Sequence, residues 1–285
     1  MHELVIRGAT VVDGTGDAPR VADVAVNDGV IVAVGTVDAE GAEELDATGL
    51  VATPGFVDIH THYDGQVTWD PTLSPTGWHG VTTLVLGNCG VGFAPVAPDK
   101  RSWLIGLMEG VEDIPGTALH DGIKWAWETF PEYLDALAST ETALDVAALA
   151  PHGAIRAYVM GDRGARNEPA TPEDIARMAA IVCEAVEAGA VGVSTSRTIL
   201  HKAVDGEPVP GTFAAEDELF ALGEALATLD RGVFELAPAG IQGEDMSAPD
   251  REVAWSPLRL RRKQHCWGDI SLHWRRHKRF VRPRR

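Results

Sequence analysis

Short apolar runs separated by turn residues fill the first fifty residues of the chain. The runs Asp23–Val26 and Val30–Val34 flank Asn27-Asp28-Gly29, and an Asp-Gly step between two such runs is typical of a tight β-hairpin turn. Earlier runs, over residues 4–6 and 9–12, have the same strand-like character. Residues 1–53 are therefore predicted to form a small β module, which is not by itself the core of a large domain.

After Pro54 the apolar runs become strands that alternate with helical segments. Five runs are predicted as strands, over residues 55–60, 82–86, 145–149, 191–194 and 233–236. Helices are predicted from the capping residue Thr171 to Gly189 and over residues 215–230. The apolar face of the first helix consists of Ile175, Met178, Val182 and Val186. This alternation favours parallel strands, so residues 54–255 are predicted to have an α/β fold, a partial (β/α)8 TIM barrel with about five of its eight units.

The last thirty residues lose this pattern. From Ser256 onward no helical or strand period is found, and Lys and Arg are interleaved with Trp267, Trp274 and Phe280. Three interpretations of residues 256–285 are open: a nucleic-acid-binding tail, a solvated disordered tail, and the product of a shifted reading frame. We favour a truncation by frame shift after about residue 255, because the protein-like pattern stops abruptly. This basic segment is then expected to be non-native and to take no part in the barrel.

The charge distribution separates the same two parts. The chain has a net charge of -18, but residues 256–285 hold 11 of its 24 Lys and Arg and one of its 42 acidic residues. The first 255 residues therefore carry a net charge of -28, which argues against nucleic acid or an anionic membrane as a partner. No signal peptide or membrane-spanning run is found, and the three scattered cysteines do not make a disulfide framework. A cytoplasmic protein is expected.

The strongest chemical signal follows the first predicted barrel strand and reads PGFVDIHTH. Side chains alternate along a strand, so Asp58, His60 and His62 are predicted to point the same way. Two imidazoles at the C-terminal end of a barrel strand can bind one metal ion, and barrel enzymes carry their chemistry at this end. His60 and His62 are therefore predicted metal ligands. Asp58, Tyr63 and Asp64 are candidates for contacts with the substrate or with the ligands.

The second signal is Cys89, which ends the second predicted barrel strand within LGNCGVG. A thiolate at this position could reach a metal ion held by the histidines of the neighbouring strand, and this ligand combination suits zinc. A small buried side chain without a chemical role is the alternative, and it is the preferred interpretation of Cys183 in the middle of a predicted helix. Cys89 is therefore predicted as the third metal ligand.

Two further groups carry weaker signals. His152 and Arg156 follow the third predicted strand and are candidates for contacts with the substrate or the ligands, with a structural role as an equal alternative for His152. Glu109, Glu112 and Asp113 are predicted to lie in an acidic loop, which could form a lid but is more typical of a solvated surface.

Both main signals belong to longer stretches, PGFVDIHTHYDGQVTWDP and SPTGWHGVTTLVLGNCGVGFAPV. These stretches resemble the N-acyl-D-amino-acid deacylases, the D-aminoacylase branch of the metal-dependent amidohydrolase superfamily, and the resemblance covers about residues 3–250. It implies a metal-bearing barrel and a small β-sandwich built from both chain ends, of which residues 1–53 would be the N-terminal segment. It also implies that His60, His62 and Cys89 hold one or two zinc ions.

The chain departs from the family pattern at two strands. Hydantoinase-like and dihydroorotase-like relatives carry a carboxylated lysine on the fourth strand, but residues 190–196 contain no lysine, so Cys89 is the better candidate for the anionic ligand. The fifth strand of the family carries a ligand histidine, whereas residues 234–239 read FELAPA. An insertion-like run over residues 190–213 contains His201. The later ligand histidine and the catalytic aspartate are expected beyond the point where the chain leaves the family, so an inactive N-terminal fragment is predicted.

The resemblance implies a hydrolase that cleaves a linear amide, with an N-acyl-D-amino acid as the expected substrate and a D-amino acid and a carboxylate as products. A metal ion would activate water for attack on the acyl carbon and polarise the carbonyl. The expected partner is this small molecule, with neither nucleic acid nor membrane. Two alternatives stay open: an amidohydrolase acting on a cyclic amide or another N-acyl conjugate, and a non-catalytic fragment that only binds metal.

Overall fold

The structure is a computed structural model that describes residues 1–239 and 265–266. It divides into two compact units, Met1–Phe56 and Val57–Arg285. The strands of the first unit are β1 (His2–Val11), β2 (Arg20–Asn27), β3 (Val30–Gly35), β4 (Gly41–Asp46) and β5 (Val51–Ala52). From Phe56 onward follow β6 (Phe56–Asp58), β7 (Val81–Leu86), β8 (Asp145–Pro151), β9 (Gly192–Ser196), β10 (Val233–Ala237) and β11 (His265–Cys266).

Seven α-helices are found in the described part of the second unit. They are α1 (Arg101–Glu112), α2 (Gly116–Gly122), α3 (Phe130–Ser139), α4 (His152–Met160), α5 (Asp162–Ala165), α6 (Pro172–Ala188) and α7 (Glu216–Thr228). Short 3₁₀ turns lie at Gln66–Thr68, Thr76–His79, Asn88–Gly90 and Pro98–Lys100. None of the helices among the described residues has the length and apolar character of a membrane span.

The first unit is built on one five-stranded sheet, in the order β3-β2-β1-β4 with β5 also paired to β1. Strands β2 and β3 are antiparallel, and the two residues between them, Asp28 and Gly29, have φ angles of 50° and 69°. Positive φ at both central residues is what a type I′ turn needs, so the predicted hairpin is confirmed. The sandwich implied by the resemblance requires two sheets. The residues described in this unit form a single sheet, so the sandwich stays a prediction.

The second sheet contains β6 to β10 in chain order, with β11 beside β10. Strand β7 pairs in parallel with β8, β8 with β9, and β9 with β10. All five predicted barrel strands are present within a few residues of their predicted bounds, and the prediction of a parallel α/β sheet is confirmed. A sheet whose spatial order equals its chain order is the arrangement of consecutive β/α units, so the unit corresponds to part of a barrel.

Helix α6 shows why the sequence pattern was informative. The Thr171 hydroxyl accepts a hydrogen bond from the Asp174 N–H, and the Asp174 carboxylate accepts one from the Thr171 N–H, which makes a complete capping box. Met178, Val182 and Val186 are buried in the main core. The predicted helix and its inner face are therefore confirmed.

Helix α1 stands where an acidic loop was predicted. Leu104, Ile105, Leu107 and Met108 are buried, and their one-sided spacing packs the segment against the core. Glu112 is the last residue of the helix and is half-buried. The prediction that Glu109 and Glu112 lie in a loop is wrong, because the apolar face that precedes them makes the segment helical despite the loop-like composition of EGVEDIP.

Only two residues of the basic C-terminal segment are described. His265–Cys266 forms β11 and pairs in parallel with Val233 and Phe234 of β10. This pairing departs from our expectation that residues 256–285 take no part in the barrel sheet. A strand edge offers unpaired backbone groups that accept a neighbour of almost any sequence, so the basic composition does not prevent it. The rest of the segment lies outside the described residues, so the frame-shift hypothesis stays a prediction.

Candidate metal centre

His60 and His62 lie in the loop directly after β6, which ends at Asp58, two residues earlier than predicted. This loop is attached to the next strand by Asn88, whose buried side-chain amide donates hydrogen bonds to the backbone oxygens of Thr61 and Val85, at 3.1 and 2.8 Å. The Thr61 hydroxyl donates to the same Val85 oxygen at 2.7 Å. The histidine pair is thus held against the end of β7 by hydrogen bonds of Thr61, the residue between the two histidines.

The loop after β7 has an unusual backbone that presents Cys89. Gly87, Cys89 and Gly90 have φ angles of 74°, 56° and 71°, all in the left-handed region. A Cβ atom on Gly87 would lie 2.1 Å from the Leu149 backbone oxygen, so only glycine fits there. Cys89 has a Cβ atom in the same region, which carries a backbone strain of about 1–2 kcal/mol. Strain of this kind at a single residue is typical of functional sites.

The structure brings the three predicted ligands together. The Cys89 Sγ atom lies 3.2 Å from the His60 Nε2 atom. One donor atom from each of His60, His62 and Cys89 lies within 4.8 Å of the other two. Two imidazoles and one thiolate make a donor set that suits zinc.

The electrostatic environment keeps the two imidazoles neutral. Burial lowers the pKa of His62 to about 3, and the charges of His60 and His201 act in the same direction. Partial burial also lowers the pKa of His60, although Asp58 opposes it. Burial raises the pKa of the Cys89 thiol, and the nearby carboxylates, above all Glu235, raise it further. Neutral imidazoles are ready to bind a cation, whereas the thiol needs a cation beside it to ionise.

Glu112 contacts His62 from the end of α1. Its Oε1 atom lies 3.3 Å from the His62 Nε2 atom. The other ring nitrogen, Nδ1, is buried and has no hydrogen-bond partner among the described residues. If the carboxylate accepts the Nε2 proton, Nδ1 keeps its lone pair, which is the form of histidine that binds a metal ion. Burial, with a smaller contribution from the charge of Asp113, raises the pKa of Glu112 to about 7.

A cavity of about 360 Å³ opens beside these ligands. Its polar lining comes from His60, Cys89, His201 and Glu235, and its apolar lining from Ile59, Leu236, Ala237 and Pro238. The Glu235 carboxylate accepts a hydrogen bond from the Cys89 backbone N–H at 3.0 Å, and burial raises the pKa of Glu235 to about 7. His201 lies in the insertion-like run, where its Nδ1 is 3.1 Å from the Ser196 hydroxyl.

Of the other candidate residues near the histidines, Asp58 and Tyr63 accept backbone hydrogen bonds, and Asp64 is buried. The Asp58 carboxylate accepts the His60 backbone N–H at 3.3 Å. The Tyr63 hydroxyl accepts the Thr76 backbone N–H at 3.4 Å. The Asp64 side chain is fully buried, which raises its pKa to about 8, and its Oδ2 atom has no hydrogen-bond partner among the described residues.

His152 and Arg156 belong to a separate buried network and do not line the cavity. His152 Nε2 lies 2.8 Å from Glu218 Oε1, and Arg156 Nε donates to the same oxygen at 2.8 Å. His152 Nδ1 lies 2.9 Å from the Thr195 hydroxyl. These contacts fit the structural interpretation of His152.

Two carboxylates of the centre, Glu112 and Glu235, were not among the predicted site residues. Glu235 carries a signal that could have been used, since a carboxylate inside the apolar run Val233–Ala237 is unusual for a buried strand. Glu112 carries none, because an acidic run at the end of a helix is ordinarily solvated.

Comparisons with known proteins identify the family of this chain. A family model described as the amidohydrolase family matches residues 43–256. N-acyl-D-aspartate deacylase of Alcaligenes xylosoxydans xylosoxydans is 39% identical over 194 residues, which cover 68% of this chain and 36% of that protein.

Two solved structures are similar in fold and sequence. A D-aminoacylase mutant in complex with CuCl2 has a TM-score of 0.72 and 30% identity, and the match covers 91% of this chain and 49% of that one. N-acyl-D-glutamate deacylase of Bordetella bronchiseptica, complexed with zinc and a phosphonate inhibitor that mimics the tetrahedral intermediate, has a TM-score of 0.69 and 29% identity, with 90% and 48% covered. The chain thus spans between 36% and 49% of the length of these relatives. The chain belongs to the amidohydrolase family, within the branch that contains D-aminoacylase.

Proposed function

We propose that this chain is the metal-binding part of an amidohydrolase that hydrolyses a linear amide, an N-acyl-D-amino acid, to a D-amino acid and a carboxylate. The observation that carries the proposal is the convergence of His60, His62 and Cys89 within 4.8 Å of one another, beside a cavity. The relatives named above support the substrate class, because two of them are named as deacylases of N-acyl-D-aspartate and N-acyl-D-glutamate.

Each residue of the centre has a distinct role in this proposal. His60 and His62 would hold a zinc ion through neutral nitrogens, and Cys89 would contribute the anionic sulfur. When bound, the ion would polarise the acyl carbonyl and lower the pKa of a water molecule. The cavity of about 360 Å³ is large enough for a small N-acyl amino acid, and its apolar wall of Leu236 and Pro238 can exclude water from the acyl group.

We also infer that the 285-residue polypeptide does not turn over this substrate by itself. The resemblance assigns the general base to an aspartate that no described residue matches, and loss of a general base typically lowers the rate by about 10²–10⁴-fold.

The two free cysteines among the described residues, Cys89 and Cys183, support the expectation of a reducing cytoplasm.

Zinc titration by calorimetry tests the metal centre. His60→Ala and Cys89→Ser are expected to weaken zinc binding by more than about tenfold, since even residues around the ligands are worth about 10–100-fold. Cys183→Ser is the matched control, because Cys183 lies on α6 outside the ligand group, packs at the edge of the main core and hydrogen-bonds the Ala225 backbone oxygen at 3.9 Å. Equal zinc affinity in Cys89→Ser and in Cys183→Ser would contradict the proposal.

The substrate class is tested by binding of an N-acyl-D-amino phosphonate to the zinc-loaded polypeptide. Binding is expected to need zinc and to favour the D over the L enantiomer. Equal binding of both enantiomers would contradict the substrate assignment but leave the metal centre intact. Zinc-dependent release of acetate from an N-acetyl-D-amino acid by the purified polypeptide would contradict the inference of inactivity.

A further inference from the structure

Glu235 is a buried carboxylate that no part of the predicted ligand set uses. It lies in the middle of β10, opposite Ser194 of β9, and only 5% of the residue is exposed. One of its oxygens, Oε2, accepts the backbone N–H of Cys89 at 3.0 Å. This bond attaches the carboxylate directly to the residue that presents the thiol.

The charge of Glu235 has no counter-ion among the described residues. No basic side chain of the described part forms an ion pair with it, and its hydrogen bond comes from a neutral backbone group. Glu218 shows how a buried carboxylate is ordinarily neutralised. It is also buried, and it contacts both Arg156 and His152 at 2.8 Å. A buried charge without a partner costs several kcal/mol, so buried carboxylates are normally paired or coordinate a metal ion.

The surroundings of Glu235 favour a metal ion as its counter-ion over a basic side chain. Glu235 lines the same cavity as His60 and Cys89. It stands outside the group of three donors that lie within 4.8 Å of one another, and its connection to that group is through Cys89. Ligating carboxylates are themselves hydrogen-bonded, and the Cys89 N–H would fix the orientation of this one.

We propose that Glu235 is a further metal ligand, which supplies an anionic oxygen on the Cys89 side of the centre and takes a divalent cation as its counter-ion. This inference rests on the metal centre proposed above. It gives the strand a chemical role although the strand lacks a histidine.

The test compares zinc affinity and stability in four forms of the polypeptide: the wild type, Glu235→Gln, Glu235→His and the control Glu224→Gln, whose side chain is exposed on α7. Glu235→Gln is expected to weaken zinc binding by about tenfold or more, and Glu235→His to recover much of that loss because imidazole is a good zinc ligand. Glu224→Gln is expected to bind zinc like the wild type.

Thermal unfolding of the metal-free forms separates ligation from a merely structural role. Without zinc, Glu235→Gln is expected to melt no lower than the wild type, since it removes an unpaired buried charge, and with zinc it is expected to gain less. Absorption of the cobalt-substituted protein should also change in Glu235→Gln and not in Glu224→Gln.

The possible failures are distinguishable through Cys89→Ser. Wild-type zinc affinity in Glu235→Gln, with weakened binding in Cys89→Ser, would overturn the assignment of Glu235 alone. Equal affinity in the wild type, Cys89→Ser and Glu235→Gln would overturn the metal centre and this inference together. A metal-free Glu235→Gln that melts well below the wild type and binds zinc normally would identify Glu235 as a structural residue only.

Discussion

The contact between Glu112 and His62 bears on which ring nitrogen of His62 carries the proton. The carboxylate lies 3.3 Å from Nε2 of the ring, and Nδ1 on the other side is buried without a partner among the described residues. A carboxylate that accepts one ring proton fixes the tautomer of a histidine and raises its basicity as a ligand. Under the proposed function, Glu112 would be a positioning residue for His62.

We expect Glu112→Gln to weaken zinc binding by about 10-fold, within the range of about 10–100-fold for residues that orient a ligand. Asp113→Asn is the matched control, because it removes the same charge from the next residue, which is exposed and whose φ of 55° suits asparagine. Calorimetric titration measures both. Equal losses in the two variants would mean that Glu112 acts only through the general negative charge.

At the scale of elements, a buried polar network connects α4 with α7. His152 and Arg156 on α4 share one oxygen of Glu218 on α7, and all three side chains are at most 2% exposed. Burial opposes the ionisation of Glu218, but the hydrogen bonds and charges of His152 and Arg156 outweigh it and hold its pKa below the usual value. This contribution to stability is present above the unfolded-state pKa and is lost as the pH falls through the lowered pKa.

Glu218→Ala is expected to lower the free energy of unfolding by about 3–5 kcal/mol, because it leaves the Arg156 charge buried without its partner. Urea unfolding at pH 7, followed by tryptophan fluorescence, measures the change. Glu224→Ala on the exposed face of the same helix serves as control and should change stability by no more than about 0.5 kcal/mol. A loss in Glu218→Ala as small as in the control would show that the network adds little.

The elements also show which parts of the fold could be predicted from the sequence. Strands β7 to β10 and helix α6 follow from local signals, namely apolar runs and the cap at Thr171. Helix α1 was missed although Leu104, Leu107 and Met108 give it a one-sided apolar face, because the acidic end of the segment has a loop-like composition. The convergence of His60 and Cys89 was predictable because neighbouring parallel strands end at one edge of a sheet.

The carboxylates of the centre mark where such reasoning ends. Glu112 reaches His62 from a helix whose position the sequence does not encode locally. The hydrogen bond from Cys89 to Glu235 joins the turn after β7 to β10, and these two segments are far apart in the chain. Only three-dimensional packing brings these side chains to the histidines.

On the scale of the whole molecule, the division into two units separates metal binding from the N-terminal sheet. All predicted ligands lie in Val57–Arg285, and the sheet of Met1–Phe56 has its own small cores, such as Ala9 with Val24. A ligand that binds only the folded form stabilises the unit that contains its site.

Zinc at 100 times its dissociation constant is expected to add about 2.7 kcal/mol to the stability of the second unit. In hydrogen exchange by mass spectrometry, the most protected peptides of β7 to β9 should exchange about 100-fold more slowly with zinc, and those of β1 and β2 should not change. The same experiment on Cys89→Ser provides the control. Equal protection of both units would show that they unfold as one.

The left-handed backbone of Cys89 sets two opposite preferences at one position. Its φ of 56° suits glycine or asparagine, whereas the metal centre needs a thiol. In the absence of metal, replacing the cysteine with glycine would remove the backbone strain and raise the free energy of unfolding by about 1–2 kcal/mol. In the presence of metal, the preference reverses when binding outweighs that strain. The metal supply of the cell would thus decide which residue at position 89 is tolerated.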